Sequence, residues 1–274
     1  MPAIAQLRLT ERTFDCVYDP QRFSEPELRD LLADNGAKLF VNREPLAESR
    51  NAISHRVRVG GVDYFAKELK RPAWTRRLAE RITGPLCFRH FCAAVRLLRA
   101  ELPTPAPVLA AVLRDPAGAA PGRQVLVTDF CPAAEELDAF FRHAEGDVRH
   151  AVLIEVAELL SEFHRRGFAS RHLRSANILV HCQAGGRHYW LIDLDRLGTS
   201  HVLPQRCYVR TFTRGCADLY EHLSQDERSA LLSTAFDYGL KKNVFARPSQ
   251  QRAFVRQALR QLRARNPALA TPPA

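Results

Sequence analysis

No CxxC pair occurs in this chain, and its seven cysteines (Cys16, Cys87, Cys92, Cys131, Cys182, Cys207, Cys216) are scattered and odd in number. That pattern excludes a compact zinc site and a disulfide framework, and it fits reduced thiols in a cytosolic protein. Long apolar runs are missing as well. The longest, PTPAPVLAAVL, holds three prolines and falls well short of the roughly 20 residues a membrane span needs. The segment MPAIAQLRLTERTFDC lacks a basic stretch followed by an apolar one, so no signal peptide is expected. Internal repeats and low-complexity tracts are absent. Carboxylates are outnumbered, 30 Asp and Glu against 40 Lys and Arg, which leaves a net charge of +10. Such an excess favours an anionic partner: a nucleotide, a phosphorylated glycolipid, a membrane surface or nucleic acid. The last is disfavoured, because no zinc finger, RNP motif or aromatic-studded basic strand is present.

What is present reads as two halves in a chain of 274 residues, long enough for two lobes with separate cores. PELRDLLADN (26–35) predicts a short helix stopped by Gly36, and KLFV (38–41) a strand. HRVRVGGVDYFAKEL (55–69) alternates on both sides of Gly60-Gly61 and predicts a two-residue β-hairpin. Basic amphipathic AWTRRLAERIT (73–83) predicts a helix. A longer helix over about 86–101 carries Leu86, Phe91, Val95 and Leu98 at helical spacing and is halted by PTPAP. VLAAVLRD and RQVLVTDF read as strands around a Gly/Pro turn at 116–122. After CPAAEE the pattern becomes helical: 148–167 ends at Gly167, SQDE (224–227) is a capping box opening a helix through Tyr238, and a last helix spans about 249–265. Between these helices NILVH and YWLIDLD read as two short strands.

Two constellations carry chemistry. Asn177 and Asp193 each follow or precede a short strand and offer oxygen donors suited to Mg²⁺, a hard ion. Lys67 closes a hydrophobic strand, where an ammonium can clamp a phosphate. A strand lysine in VDYFAK, a later SRHLRSAN loop and an apolar-IDLD segment match, in order, three parts of the protein-kinase signature.

In YFAKELKRPAW, LRAELPTPAPV, LVTDF, FHRRGF-SRHLRSANILV and YWLIDLDR the chain resembles the lipopolysaccharide core kinases of Gram-negative bacteria, the Kdo/heptose kinase family. The resemblance runs from about residue 55 to 198. It implies an α+β, two-lobed protein-kinase-like fold, with a strand-rich N-lobe over 1–133 and a helical C-lobe over 134–274. It also implies ATP and Mg²⁺: Lys67 on the ATP phosphates, Asn177 and Asp193 on the metal, and residues near 130–133 beside the adenine, with His90, Asp129 and Cys131 counted among the nucleotide-binding residues. The implied acceptor is a sugar hydroxyl of the lipopolysaccharide inner core or another phosphorylated glycolipid, met at the cytoplasmic face of the inner membrane.

Three departures stand out. The family's HRD triplet reads Ser170-Arg171-His172 here, so the catalytic positions are Arg171 and His172. The helix glutamate that orients the strand lysine falls at His90, with Glu80 as the other candidate. PLAESRNAIS holds no glycine where a glycine-rich loop would stand. A neutral imidazole can accept a proton from a sugar hydroxyl, and phosphoryl transfer depends mostly on positioning and electrostatics, so His172 is compatible with an active kinase. The alternative is a pseudokinase that binds nucleotide, or serves as a scaffold, in envelope biogenesis; a small-molecule kinase of the aminoglycoside or choline type is the weaker rival. Lys70, Arg71, Arg76, Arg77 and Arg81 interleave with Trp74, Leu78 and Ile82, and Arg252, Arg256, Arg260 and Arg263 recur along the last helix. Both patterns fit docking on an anionic membrane.

Overall fold

The computed structural model describes residues 6–11, 13–49, 51–70, 80, 82–114, 123–170, 172–193, 197–200 and 204–265. The predicted turn at 116–122, Arg171, Asp195 and most of the basic helix over 73–83 (Trp74, Arg76, Arg77 and Arg81 included) lie outside the described residues. The chain divides into two compact units, Met1–Pro132 and Ala133–Ala274.

The first unit is built on an antiparallel sheet of seven strands: β1 (Leu7–Thr10), β2 (Phe14–Tyr18), β3 (Arg43–Glu48), β4 (Ala52–Val59), β5 (Val62–Leu69), β6 (Pro107–Leu113) and β7 (Arg123–Asp129). Their spatial order is β1-β2-β6-β7-β5-β4-β3. The β4–β5 hairpin closes on the pair Val59↔Val62. Gly60 and Gly61 have φ of 57° and 81°, a turn that glycine enters without a Cβ clash. Helix α1 (Glu25–Gly36) opens with a Ser24–Glu27 capping box and is kinked through Ala33–Asn35.

The predicted strand at 38–41 is instead a single 3-10 turn, Lys38–Phe40. Adjacent residues of a strand face opposite sides, yet Leu39 and Phe40 are both buried in the same core. One helical turn lets both side chains reach it.

Alternation along the strands produces two faces. Val57, Tyr64, Ala66, Leu109, Ala111, Val125 and Val127 pack with Leu28 and Leu32 of α1 and with Leu39 and Phe40. On the other face Ala110 and Leu126 meet Cys87, Phe91 and Val95 of helix α2 (Leu86–Arg99). Fully burying each large apolar side chain contributes about 1.5–3 kcal/mol. The start of α2 is fastened to the sheet by Gln124, whose Oε1 accepts from the Cys87 backbone N–H at 3.1 Å while its Nε2 donates to Glu80 Oε2 at 3.0 Å.

The second unit contains strands β8 (Glu135–Glu136), β9 (Phe168–Ser170), β10 (Ile178–Gln183), β11 (Gly186–Leu191) and β12 (Leu197–Thr199). Its helices are α3 (Leu137–His143), α4 (Gly146–Arg165), α5 (Gln205–Gly215), α6 (Ala217–Tyr220), α7 (Gln225–Lys241) and α8 (Gln251–Arg265). The Ser224–Glu227 capping box opens α7. Val156, Leu160 and Phe163 of α4 are fully buried, as are Tyr208 and Phe212 of α5. Phe236 stacks on Phe245 at 4.7 Å, and Phe254 of α8 packs edge-on to Phe245 at 5.2 Å. The buried Tyr208 hydroxyl donates to the Ala235 carbonyl at 2.8 Å and lies 2.7 Å from Ser161 Oγ, so its polar end is satisfied.

Just past the end of helix α4 stands Gly167, whose φ is 83°. A Cβ there would lie 2.4 Å from the Ser200 carbonyl oxygen, so both the angle and the space require glycine. The Ser200 N–H donates to the Gly167 carbonyl at 2.9 Å. This contact continues the antiparallel pairing of β9 with β12 and aims the chain into the loop after Ser170.

Candidate functional site

In the second unit the loop after β9 is fixed by its own side chains. Buried Ser170 accepts at Oγ from the backbone N–H of His172 at 3.0 Å and of Leu173 at 3.1 Å. Asn177 Nδ2 donates to the His172 carbonyl at 2.8 Å. His172 is thus held at both its N–H and its C=O, and its half-buried imidazole projects from a backbone that neighbouring residues define. A 3-10 turn, Ser175–Asn177, completes the loop; the Asn177 N–H closes onto the Arg174 carbonyl at 2.9 Å.

Asn177 immediately precedes β10, and Asp193 lies two residues beyond β11. The two strands pair in register from Ile178↔Leu191 to Gln183↔Gly186. At the open end the Ile192 N–H donates to the Asn177 carbonyl at 2.9 Å, which brings Asn177 and Asp193 to the same end of the hairpin. Asp193 is exposed with φ of 57°, a left-handed conformation that aspartate tolerates better than most residues. Along β11, Arg187 donates to Glu155 of α4 at 2.9 and 2.7 Å and the Tyr189 hydroxyl does so at 2.6 Å. Burial opposes ionisation of Glu155, but these bonds hold its carboxyl below the usual range. The hairpin is therefore bolted to the long helix.

The oxygen donors Asn177 and Asp193 fit Mg²⁺, which binds through one or two carboxylates plus substrate phosphates rather than through a full protein cage. Among the described residues no cluster of three or more His, Cys, Asp or Glu residues could hold a metal ion.

In the first unit, Lys67 of β5 stands opposite Leu126 of β7 and Ser54 of β4. Since Leu126 packs against α2, the half-buried Lys67 occupies the face that α2 covers. His90 is buried on that helix. Glu80 is tied to Gln124, which pairs with Leu69, two residues along β5 from Lys67. Asp129 ends β7, where both of its carboxylate oxygens accept from Arg22 Nη2 at 2.9 Å. Burial nevertheless pushes its carboxyl above the ordinary value, against the pull of Arg22. Burial, with Asp129 nearby, raises the half-buried Cys131 thiol to about 11, so it is protonated at neutral pH and is no nucleophile.

The structure thus brings together His172, Asn177 and Asp193 in one unit, and Lys67 with α2 and Asp129 with Cys131 in the other. Arg171 lies outside the described residues. Two groups that fix the loop escaped sequence reasoning: Ser170 as a hydrogen-bond acceptor, and Asp218 of α6, whose Oδ2 accepts from Ser175 Oγ at 2.9 Å. A serine whose side chain reaches the N–H groups two and three residues on is a recognisable local turn device. Asp218, 43 residues past its partner, leaves no such signal.

Residues 48–214 match the model of the lipopolysaccharide kinase (Kdo/WaaP) family. The 3-deoxy-D-manno-octulosonic acid kinase of Xanthomonas campestris pv. campestris is 29% identical over 198 residues, 72% of each chain. The enzyme of the same name from Xanthomonas axonopodis pv. citri is 34% identical over 109 residues, 40% of each chain. The solved structure of WaaP in complex with acyl carrier protein aligns with a TM-score of 0.55 and 21% identity, over 83% of this chain and 89% of that one. At that identity the likeness speaks for the fold, which is α+β and protein-kinase-like.

Proposed function

The chain belongs to the lipopolysaccharide kinase (Kdo/WaaP) family, and from that premise we propose that it transfers the γ-phosphoryl group of ATP to a sugar hydroxyl of the lipopolysaccharide inner core. The names of its relatives make 3-deoxy-D-manno-octulosonic acid the first acceptor to test. The observation that carries the reading is the clasp of Asn177 on the His172 carbonyl, with Asp193 delivered to the same end of the hairpin through Ile192.

Each candidate residue then has a task. Lys67 neutralises ATP phosphates, and Asn177 and Asp193 hold Mg²⁺. Bound there, Mg²⁺ would offset charge on the phosphate oxygens. His172 receives the proton of the acceptor hydroxyl as its oxygen bonds to the γ-phosphorus and ADP departs. Arg171 flanks this base in the loop. His90 stands on the helix that covers the Lys67 face, and the segment from Asp129 to Cys131 borders the adenine. A second reading, the pseudokinase, is favoured by one observation: a histidine, His172, stands in the loop where the resemblance puts the family's catalytic carboxylate. Calorimetry with Mg²⁺ and ATP tests the nucleotide site for both. Wild type is expected to bind ATP only weakly without metal and tightly with it, and Lys67→Ala to weaken binding about 10-fold or more, the loss of one charge-assisted contact. Absence of binding by wild type removes the nucleotide site from either reading.

The reading places the protein in the cytoplasm, at the inner face of the membrane where its glycolipid acceptor is exposed. Among the described residues no helix is long and apolar enough to cross a membrane. Along α8, Phe254, Ala258 and Leu262 are buried while Arg252, Arg256, Arg260 and Arg263 are exposed, and Ile82 is 86% exposed beside the basic segment over 70–81. These support peripheral attachment through cations and an apolar side chain. Binding to vesicles containing anionic lipid is expected to fall steeply with salt. Reversing charge at Arg252, Arg256 and Arg260 is expected to weaken it by about 1 kcal/mol for each cation at the surface. Equal binding to neutral and anionic vesicles in flotation would remove the membrane contact.

A further inference from the structure

The one-turn helix Ser175–Asn177 ends in the proposed metal ligand and begins in a serine that is fully buried. A buried hydroxyl must place its hydrogen on an acceptor, and Ser175 Oγ places it on Asp218 Oδ2 at 2.9 Å. The other oxygen of the same carboxylate lies 3.7 Å from Arg174 Nη2. Asp218 is carried by α6, and α6 packs against the Ser175–Asn177 turn. The loop is therefore tied along its own chain by Ser170 and Asn177, and from the side by Asp218.

We propose that Asp218 is a positioning residue for phosphotransfer, acting through Ser175 to set the direction in which Asn177 presents its side-chain oxygen to the metal. The proposal rests on the kinase reading. Asn177 spends Nδ2 on the His172 carbonyl, which leaves Oδ1 for the metal, and that division holds only while the turn keeps its orientation. If Ser175 loses its acceptor, the turn can rotate, and Asn177 and the His172 backbone it holds move together. The Arg174 contact is longer, and its guanidinium is 67% exposed, so solvent weakens it. The Ser175 bond carries the role. Asparagine at 218 keeps an acceptor oxygen for Ser175 and loses only the charge, whereas alanine loses both.

The test uses the full chain, with kcat and KM for ATP measured across a Mg²⁺ titration. Asp218→Ala and Ser175→Ala are each expected to lower kcat ~10- to 100-fold, the size of effect that follows a small misplacement. Both should raise the Mg²⁺ concentration for half-maximal rate while leaving metal-free ATP binding unchanged. Asp218→Asn should stay within about threefold of wild type, because the hydrogen bond survives. The double variant should be no worse than either single one, since both remove the same contact. Wild-type kcat and Mg²⁺ dependence in the folded alanine variants would overturn the proposal; so would additive losses, or a lowered melting temperature with unaltered kcat per folded molecule. If wild type transfers no phosphate, the kinase reading fails separately and the proposal is read from calorimetry. There, Asp218→Ala must lose the Mg²⁺ dependence of ATP binding that wild type shows. A variant indistinguishable from wild type overturns the proposal, and a wild type without metal-dependent binding overturns it together with the kinase reading.

Discussion

Asparagine in place of Asp193 is expected to abolish phosphotransfer while the protein stays folded. Asp193 is exposed and left-handed, with φ of 57°, and asparagine adopts that conformation as readily as aspartate, so the backbone does not object to the change. What disappears is the charge. Of the two oxygen donors described at the open end of the β10–β11 hairpin, Asn177 is neutral, so in the proposed site Asp193 would be the charged one facing Mg²⁺. A neutral amide dipole holds a hard divalent cation poorly beside a polyanionic nucleotide. Losing several kcal/mol of transition-state charge stabilisation corresponds to a rate at least ~10³-fold lower. The check is the initial rate of labelled phosphate transfer at saturating ATP and Mg²⁺, with a thermal melt alongside to show that the variant is folded.

Truncating His172 to alanine is expected to cost less, ~10²–10⁴-fold in kcat, which is the share a general base supplies. The backbone should survive the change, because Ser170 binds the residue's N–H and Asn177 its carbonyl, and neither bond uses the imidazole. Metal-dependent ATP binding should therefore match wild type, so that kcat falls while the calorimetric affinity does not. His172→Asp, which restores the family's carboxylate, should recover most of the loss. If the chain is a pseudokinase the pattern inverts: wild type transfers nothing, and His172→Asp, alone or with His90→Glu, creates activity. Equal losses in binding and rate for His172→Ala would show that the loop had collapsed and that the role of base had not been tested.

The elements that were legible in the sequence are those whose signal is local. Gly60-Gly61 between two alternating runs specifies a turn with positive φ at both positions, and the β4–β5 hairpin forms there. Ser224 and Glu227 sit at capping-box spacing, and α7 starts on them. The PTPAP segment cannot continue a helix, and α2 ends at Arg99. Other elements carried no comparable mark. β3 is an edge strand, REPLAE, exposed at every residue and interrupted by a bulge after Pro45, so no apolar alternation announces it. α5, QRCYVRTFTRG, is largely polar, yet its Tyr208 and Phe212 enter the aromatic core. KLFV has strand composition, but Leu39 and Phe40 must both reach one core, and a helical turn satisfies them. Around the candidate site, the strand that carries Lys67 and the two strands that flank Asn177 and Asp193 were readable because alternation and loop spacing are sequence features. The Glu80–Gln124 and Ser175–Asp218 contacts join residues 44 and 43 positions apart, and only the folded chain brings them together.

The most direct measurement is the transfer of γ-phosphate from labelled ATP to purified lipopolysaccharide core by wild type, His172→Ala and Asp193→Asn, in the presence and absence of Mg²⁺. The account predicts metal-dependent transfer by wild type, a rate ~10²–10⁴-fold lower for His172→Ala, and background for Asp193→Asn. A wild-type rate left unchanged by Asp193→Asn would contradict it.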